Sequence, residues 1–346
     1  MIAVRQASGE RERLARLLLG SGAMSVLSLL PGKDSLLVLT YHRVGDSEQD
    51  PWDPGIFSAT GDEFDEQIAY LKRQYSLVTL EEALAFVEGT EKDKTPHCRV
   101  LVTFDDGYLD NYEIAYPILR SHGAQGVFFL CSNLVGSGHV PWWDHIAFLV
   151  KSAAKKRFIL RYPTELDINV DKNGLKETLQ SICDLFKTPG NLDPERFMEE
   201  LTEVAGANPL LEVPRRFLNW DEAREMISGG MALGAHTHTH PMLSKLDGED
   251  QRRELTLSRA ILSEKLRIKA DTFAYPFGSR TAFTKETQRI AEETGFRAAF
   301  SYYGRLANQR GTMDRFDLKR VSVGAQSWGR MQVQAGISRI TGIFWP

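Results

Sequence analysis

Short apolar runs recurring between helix-patterned segments are the feature that most restricts this 346-residue chain. Leu36-Leu37-Val38-Leu39-Thr40-Tyr41 is continuously apolar and is closed by Gly45, so it reads as a strand buried on both faces. A loop rich in Pro, Asp and Gly follows over 50–60, and then Phe64, Ile68 and Leu71 recur at helical spacing. A short strand at 77–80 and a helix over 80–87 come next. Val100-Leu101-Val102-Thr103-Phe104 is a strand that stops abruptly at Asp-Asp-Gly. A helix over 112–121 and a strand over 126–130 complete a β-α-β unit. The rhythm breaks after Trp143. Residues from 144 to about 219 are charge-rich and helical, with a helix start marked by Asp193-Pro194, and read as an insertion. Alternation then returns, with helices over 221–227, 252–266 and 285–294 and strands over 231–235, 272–275 and 297–301. The pattern predicts a parallel α/β sheet or barrel, in which functional groups gather at the C-terminal ends of the strands.

Composition excludes some classes of function. Apolar and charged fractions of 42% and 25% are those of an ordinary globular protein, and a net charge of −4 offers no surface for nucleic acid. Cys98, Cys131 and Cys183 form neither a CxxC pair nor a disulfide framework. Residues 14–30 are mostly apolar but carry Arg16, Gly20 and Gly22, and acidic Glu10 and Glu12 precede them. Three readings stay open there: a helix packed on the domain, a helix at a membrane surface, or a signal or anchor. They favour a cytoplasmic or membrane-peripheral location over secretion, with peripheral contact through 14–30.

Chemistry concentrates at two strand ends. Asp105 and Asp106 follow an apolar strand and precede Gly107. Two adjacent carboxylates repel unless a cation or hydrogen bonds compensate, although Asp-Asp-Gly is also a common turn sequence. The second cluster is more specific, because three of only eight histidines fall at 236, 238 and 240. Gly234, Thr237, Thr239 and Pro241 disfavour a helix there, and alternate residues of a strand end face the same way. Neutral imidazoles converging beside a carboxylate make a nitrogen-and-oxygen site suited to a divalent metal, above all Zn²⁺.

Thr103-Phe104-Asp105-Asp106-Gly107 resembles the first motif of the polysaccharide deacetylases, the NodB-homology group of carbohydrate esterase family 4. His236-Thr237-His238-Thr239-His240 resembles their second motif, and Phe273-Ala274-Tyr275-Pro276-Phe277-Gly278 their third. The resemblance spans roughly residues 36–325. It implies an irregular (β/α)7-type barrel with a helical insertion at about 144–219, occupying 35–346 behind an N-terminal helical segment at 1–34. It also implies a hydrolase that removes N-acetyl groups from sugars of a polysaccharide or lipid-linked glycan. Asp106, His236 and His240 would hold the metal, and Asp105 would be the base that takes a proton from the attacking water. The backbone N–H of Phe277 would face the oxyanion, and His238 would stand behind the ligands or face solvent.

Two departures qualify the match. The third motif normally carries an Arg that orients the base, and its place here is taken by Ala274; Arg320, in Leu318-Lys319-Arg320-Val321, is the candidate replacement. The family's acid is usually a His near the end of the domain, yet no His follows His240. Tyr41-His42 resembles the sequence of a permuted branch that acts on poly-N-acetylglucosamine, which implies His42 as the acid. Arg43 could then hold a carboxylate, Asp105 included. Tyr108, Trp142 and Trp143 are candidates for contact with the sugar, and the two Trp read equally well as a plug under the insertion. Two other functions share these residues: a non-catalytic glycan-binding relative that keeps the metal, or an amide, formyl or O-acetyl hydrolase on the same scaffold.

Overall fold

The structure is a computed structural model that describes residues 34–336, apart from 49, 93–94, 96, 188–191, 209–213, 304–307, 310–312, 325–327, 330–331 and 334–335. The apolar segment at 14–30 lies outside the described residues, and no described helix is long and apolar enough to cross a membrane. The chain forms two compact units, one of residues 46–57 and 138–216, the other of the remainder.

The larger unit is built on seven parallel strands: β1 (Ser35–Tyr41), β2 (Cys98–Phe104), β3 (Gly126–Leu130), β4 (Ala232–Ala235), β5 (Thr272–Ala274), β6 (Ala298–Ser301) and β7 (Leu318–Ser322). Each pairs with its neighbours in sequence, and β7 returns to β1 to close a barrel. The closing registers pair Val38 with Arg320 on β7 and Tyr41 with Phe104 on β2. Ser76–Leu77 extends the sheet beside β2, and Asn308–Gln309 runs antiparallel to β1. The expected (β/α)7-type barrel is therefore the fold observed.

Strand alternation sorts the side chains into two layers. Leu36, Val38, Leu101, Val127, Phe129, Ala274, Ala298, Phe300 and Leu318 pack together as the barrel interior. Leu37, Leu39, Tyr41, Val100, Val102, Phe104, Phe128 and Leu130 face outward and meet the helices. With both faces covered, the strands read as continuous apolar runs. Helices follow the strands as the sequence predicts, and reciprocal capping boxes at Thr60/Glu63 and Thr79/Glu82 start two of them.

The smaller unit has its own core, in which Phe197 and Leu201 of helix Pro194–Ala205 meet Ile146 and Leu149 of helix Trp142–Lys151. Asp193 caps the former by accepting from the backbone N–H groups of Glu195 and Arg196. An antiparallel hairpin, Arg157–Leu160 with Leu166–Asn169, has no counterpart in the sequence reading, because its strands are only four residues long. Residues 46–57, which take in most of the loop expected over 50–60, belong to this unit. Trp52 is buried there under the Arg216 guanidinium, which also pairs with buried Asp144 at 2.7 Å.

Candidate metal centre

The interior parity of the strands carries past their C-terminal ends and selects the residues of the site. On β2 the interior positions Leu101 and Thr103 lead to Asp105. On β1, Leu36, Val38 and Thr40 lead to His42, and on β7 Leu318 leads to Arg320. His236 ends the same series on β4, and Tyr302 does so on β6. One rule of alternation thus brings five polar or aromatic groups to one rim.

Asp106 leaves that parity because its backbone turns, with φ of 73°. Gly107 completes the turn at φ 81°, where a Cβ would stand 2.8 Å from a Leu130 methyl. Thr237, His240 and Phe277 also lie in the left-handed region, at φ of 62°, 63° and 61°. Such conformations cost a non-glycine residue roughly 1–3 kcal/mol each, and their concentration at one rim marks a functional site. Among the described residues the remaining non-glycine case, Arg267, caps a helix.

Asp106, His236 and His240 converge, with their donor atoms all within 4.8 Å of one another. Nε2 of His236 and Nε2 of His240 each lie 3.4 Å from Asp106 Oδ1. His236 Nδ1 donates to the Ala274 carbonyl oxygen at 2.9 Å, so this ring turns its Nε2 towards the carboxylate. Asp106 Oδ1 is buried and has no hydrogen-bond partner. Electron-pair donors facing one another in a buried space require positive charge between them, supplied by protons or by a metal ion. Two ligands about 2.0–2.2 Å from one tetrahedral ion stand about 3.3–3.6 Å apart, which is the spacing of the two imidazole–carboxylate pairs here. Burial holds the His240 imidazole down at about 3, neutral and ready to ligate, although the Asp106 charge opposes the shift. The residues therefore fit a divalent metal.

Asp105 stands beside this group and is itself held rigidly. Arg320 Nη1 and Nη2 donate to its two carboxylate oxygens, both at 2.7 Å, and Arg320 Nε donates to the Ser301 carbonyl oxygen at 3.0 Å. Both residues are buried. Burial pushes the Asp105 carboxyl up, but the charges of Arg320, His236 and His42 outweigh it and hold the group below its ordinary range. The Arg that pairs with Asp105 thus comes from β7, and not from position 274. Ala274 contributes its carbonyl to His236 instead.

His42 follows β1 at half-buried depth, where its backbone N–H donates to Ser58 Oγ at 3.0 Å. Its ring meets the Tyr302 ring edge-on, with centroids 5.5 Å apart. The Phe277 ring lies 5.2 Å from that of His240.

The profile of the polysaccharide deacetylase family matches residues 92–299, more than half of the chain. This chain belongs to the polysaccharide deacetylase family. It is 34% identical over 117 residues to the poly-beta-1,6-N-acetyl-D-glucosamine N-deacetylase of Staphylococcus epidermidis, covering 30% of this chain and 39% of that protein. It is 22% identical over 250 residues to Bacillus subtilis YxkH, named for the same family, covering 72% of this chain and 60% of that one. The matches therefore span less than two thirds of either relative's length. The structure of IcaB from Ammonifex degensii superposes with a TM-score of 0.56 at 23% identity, over 88% of this chain and 98% of that one, and so shares the fold.

Within this polysaccharide deacetylase domain, some expected contacts are replaced by others. Arg43 pairs with Asp110 at 2.7 Å and not with Asp105, which already has Arg320. Asp110 also accepts from the Val44 N–H, and Asn111 donates to the His42 carbonyl oxygen, so the two brace the turn after β1. Tyr108 is fully buried, stacked on Phe217 with Arg43 over its ring, so its ring packs inside the protein. In the smaller unit, Trp142 stacks on Phe186 and Trp143 meets Trp142 edge-on, so both rings take part in its packing. His238 is not one of the three converging residues, and its Nδ1 lies 2.9 Å from Ser132 Oγ.

Two residues at the site escaped the sequence reading. Tyr302 donates to Ser322 Oγ at 2.7 Å, with Gly278 packed against its backbone. Its signal would have been its place two residues beyond an interior strand position. Glu254, from helix Gly248–Leu266, accepts hydrogen bonds from the turn between the two ligand histidines. One carboxylate on a charged helix leaves no such signal.

Proposed function

We propose that this chain is a metal-dependent hydrolase that removes N-acetyl groups from N-acetylated sugars of a polysaccharide or lipid-linked glycan. The observation that carries the reading is the Asp105–Arg320 pair beside the Asp106, His236 and His240 donors. A protein that only binds sugar gains nothing from a buried carboxylate locked next to a metal site. The Staphylococcus epidermidis relative is named for poly-beta-1,6-N-acetyl-D-glucosamine, which supports an N-acetylglucosamine polymer as the substrate class.

The residues divide the work as follows. Asp106, His236 and His240 hold the ion, and two nitrogens with one carboxylate favour Zn²⁺. When bound, it supplies Lewis acidity that polarises the acetamide carbonyl and acidifies water. Asp105, kept ionised by Arg320, accepts the proton of the attacking water. Arg320 engages one lone pair on each carboxylate oxygen and leaves the others available. The water oxygen bonds to the acetyl carbon, the carbon–nitrogen bond breaks, and His42 delivers a proton to the departing amine. The Phe277 backbone N–H faces the oxyanion.

Acetate release from a panel of N-acetylated glycans and O-acetyl esters, with and without chelator and added Zn²⁺, tests this reading. Release from N-acetylglucosamine oligomers should stop with chelator and return with Zn²⁺. Asp106→Ala and His240→Ala should lose both metal and turnover. Turnover indifferent to chelation and to Asp106→Ala would sink the assignment, and release from O-acetyl esters alone would replace the substrate class.

A further inference from the structure

His236 and His240 reach the centre by different means. His236 extends β4, with its N–H donating to the Leu130 carbonyl oxygen at 2.8 Å and its ring tied to Ala274. His240 lies four residues on, beyond a turn whose first and last residues, Thr237 and His240, are both left-handed. No strand pairing holds it. The carbonyl oxygens of Thr237 and His238 are taken by the backbone N–H groups of Ser132 and Asn133 after β3. The N–H groups of His238 and Thr239 both donate to a single atom, Oε2 of Glu254, at 2.8 Å each. Thr239 Oγ1 donates to the other carboxylate oxygen at 2.7 Å. Glu254 is 8% exposed, and it spends its hydrogen bonds on this turn alone.

We infer that Glu254 is a positioning residue that latches the 237–240 turn, so that His240 reaches the metal group already formed by Asp106 and His236. It touches none of the three donor atoms. Its two oxygens instead satisfy consecutive N–H groups in a strained turn that would otherwise relax and carry His240 away. The inference rests on the reading that these three residues bind a metal. Partners behind metal ligands are typically worth ~10–100-fold in metal affinity, which sets the scale expected here.

The test is Zn²⁺ affinity of the full chain, measured by competition with a chromophoric chelator, for the native protein, Glu254→Ala, Glu254→Gln and Thr239→Val. Glu254→Ala should weaken Zn²⁺ binding by ~10-fold or more, with turnover restored by excess Zn²⁺. Glu254→Gln should stay within about threefold of native, because its amide oxygen keeps both N–H contacts and its NH₂ donates to Thr239 Oγ1. Thr239→Val removes one contact of the three and should fall between; it also decides the matter if Glu254→Ala does not fold. Unchanged affinity in Glu254→Ala and Thr239→Val overturns the latch while leaving the metal site standing. A glutamine variant as weak as the alanine one also overturns it, since charge and not turn geometry would then be at work. Native protein that binds no Zn²⁺ removes the metal reading itself and the latch with it.

Discussion

Replacing Arg320 by Met tests the site most sharply, because stability and catalysis then depend on one buried contact. The guanidinium meets Asp105 through two hydrogen bonds of 2.7 Å, and both side chains are shielded from water. With charge centres roughly 4 Å apart and an effective dielectric of about 20, their attraction is about 4 kcal/mol. Removing one partner of a buried pair usually costs about 3–5 kcal/mol, because the other is left buried and uncompensated. At roughly 2–4 °C per kcal/mol for a unit of this size, Arg320→Met should lower Tm by roughly 6–20 °C. Asp105→Asn should cost about as much, because it strands the guanidinium. The double variant should recover most of one loss, which thermal or urea unfolding of all four proteins would show as a coupling of about 3 kcal/mol. The pH dependence has a definite sign. The Asp105 carboxyl lies below its unfolded value of 3.8, so the unfolded chain binds more protons at acid pH. The pair's contribution is present above that value and drains away as pH falls through the lower folded one. Without Arg320, burial raises the carboxyl, so the acid limb of the activity profile should move to higher pH. Strict additivity of the two losses, or an Arg320→Met variant with native Tm and an unmoved acid limb, would refute the reasoning.

Two further outcomes follow from the same rim. His42→Ala should lower kcat by ~10²–10⁴-fold with metal content unchanged, and the loss should be smallest on substrates with a more acidic leaving group; a kcat within threefold of native removes the acid assignment. Gly278→Ala should depress Tm and activity together, because its φ is 53° and a Cβ would lie 2.4 Å from that of Tyr302. A Gly278→Ala protein with native Tm would mean that the contact with Tyr302 relaxes freely.

Local signals made much of this protein legible. The alternation of apolar runs with helices needs only near neighbours in sequence, and it led to a parallel sheet or barrel, between which the family resemblance chose. Asp105-Asp106-Gly107 and His236-Thr237-His238-Thr239-His240 are likewise contiguous, each directly following a strand, although the second cluster turns at Thr237 and does not continue as the extended strand end expected of it. The four-residue strands of the hairpin in the smaller unit were too short to carry such a pattern. Trp142 and Trp143, with no contact partner visible in sequence, left sugar stacking and packing undecided, and their rings turn out to pack on Phe186 and on each other.

What the sequence determined by itself is therefore the order of strands and helices and the two short clusters, one of carboxylates and one of imidazoles, that follow strands. Only the closed barrel decided which distant residues complete them. β7 must return beside β1 before Arg320 can face Asp105, and these residues are 215 apart in the chain. The Asp110 carboxylate claimed Arg43, and Phe217 claimed the Tyr108 ring. The reason is physical: a buried charge or ring takes whichever partner the packing brings to it. Long-range register fixes that partner, and no short stretch of sequence encodes it.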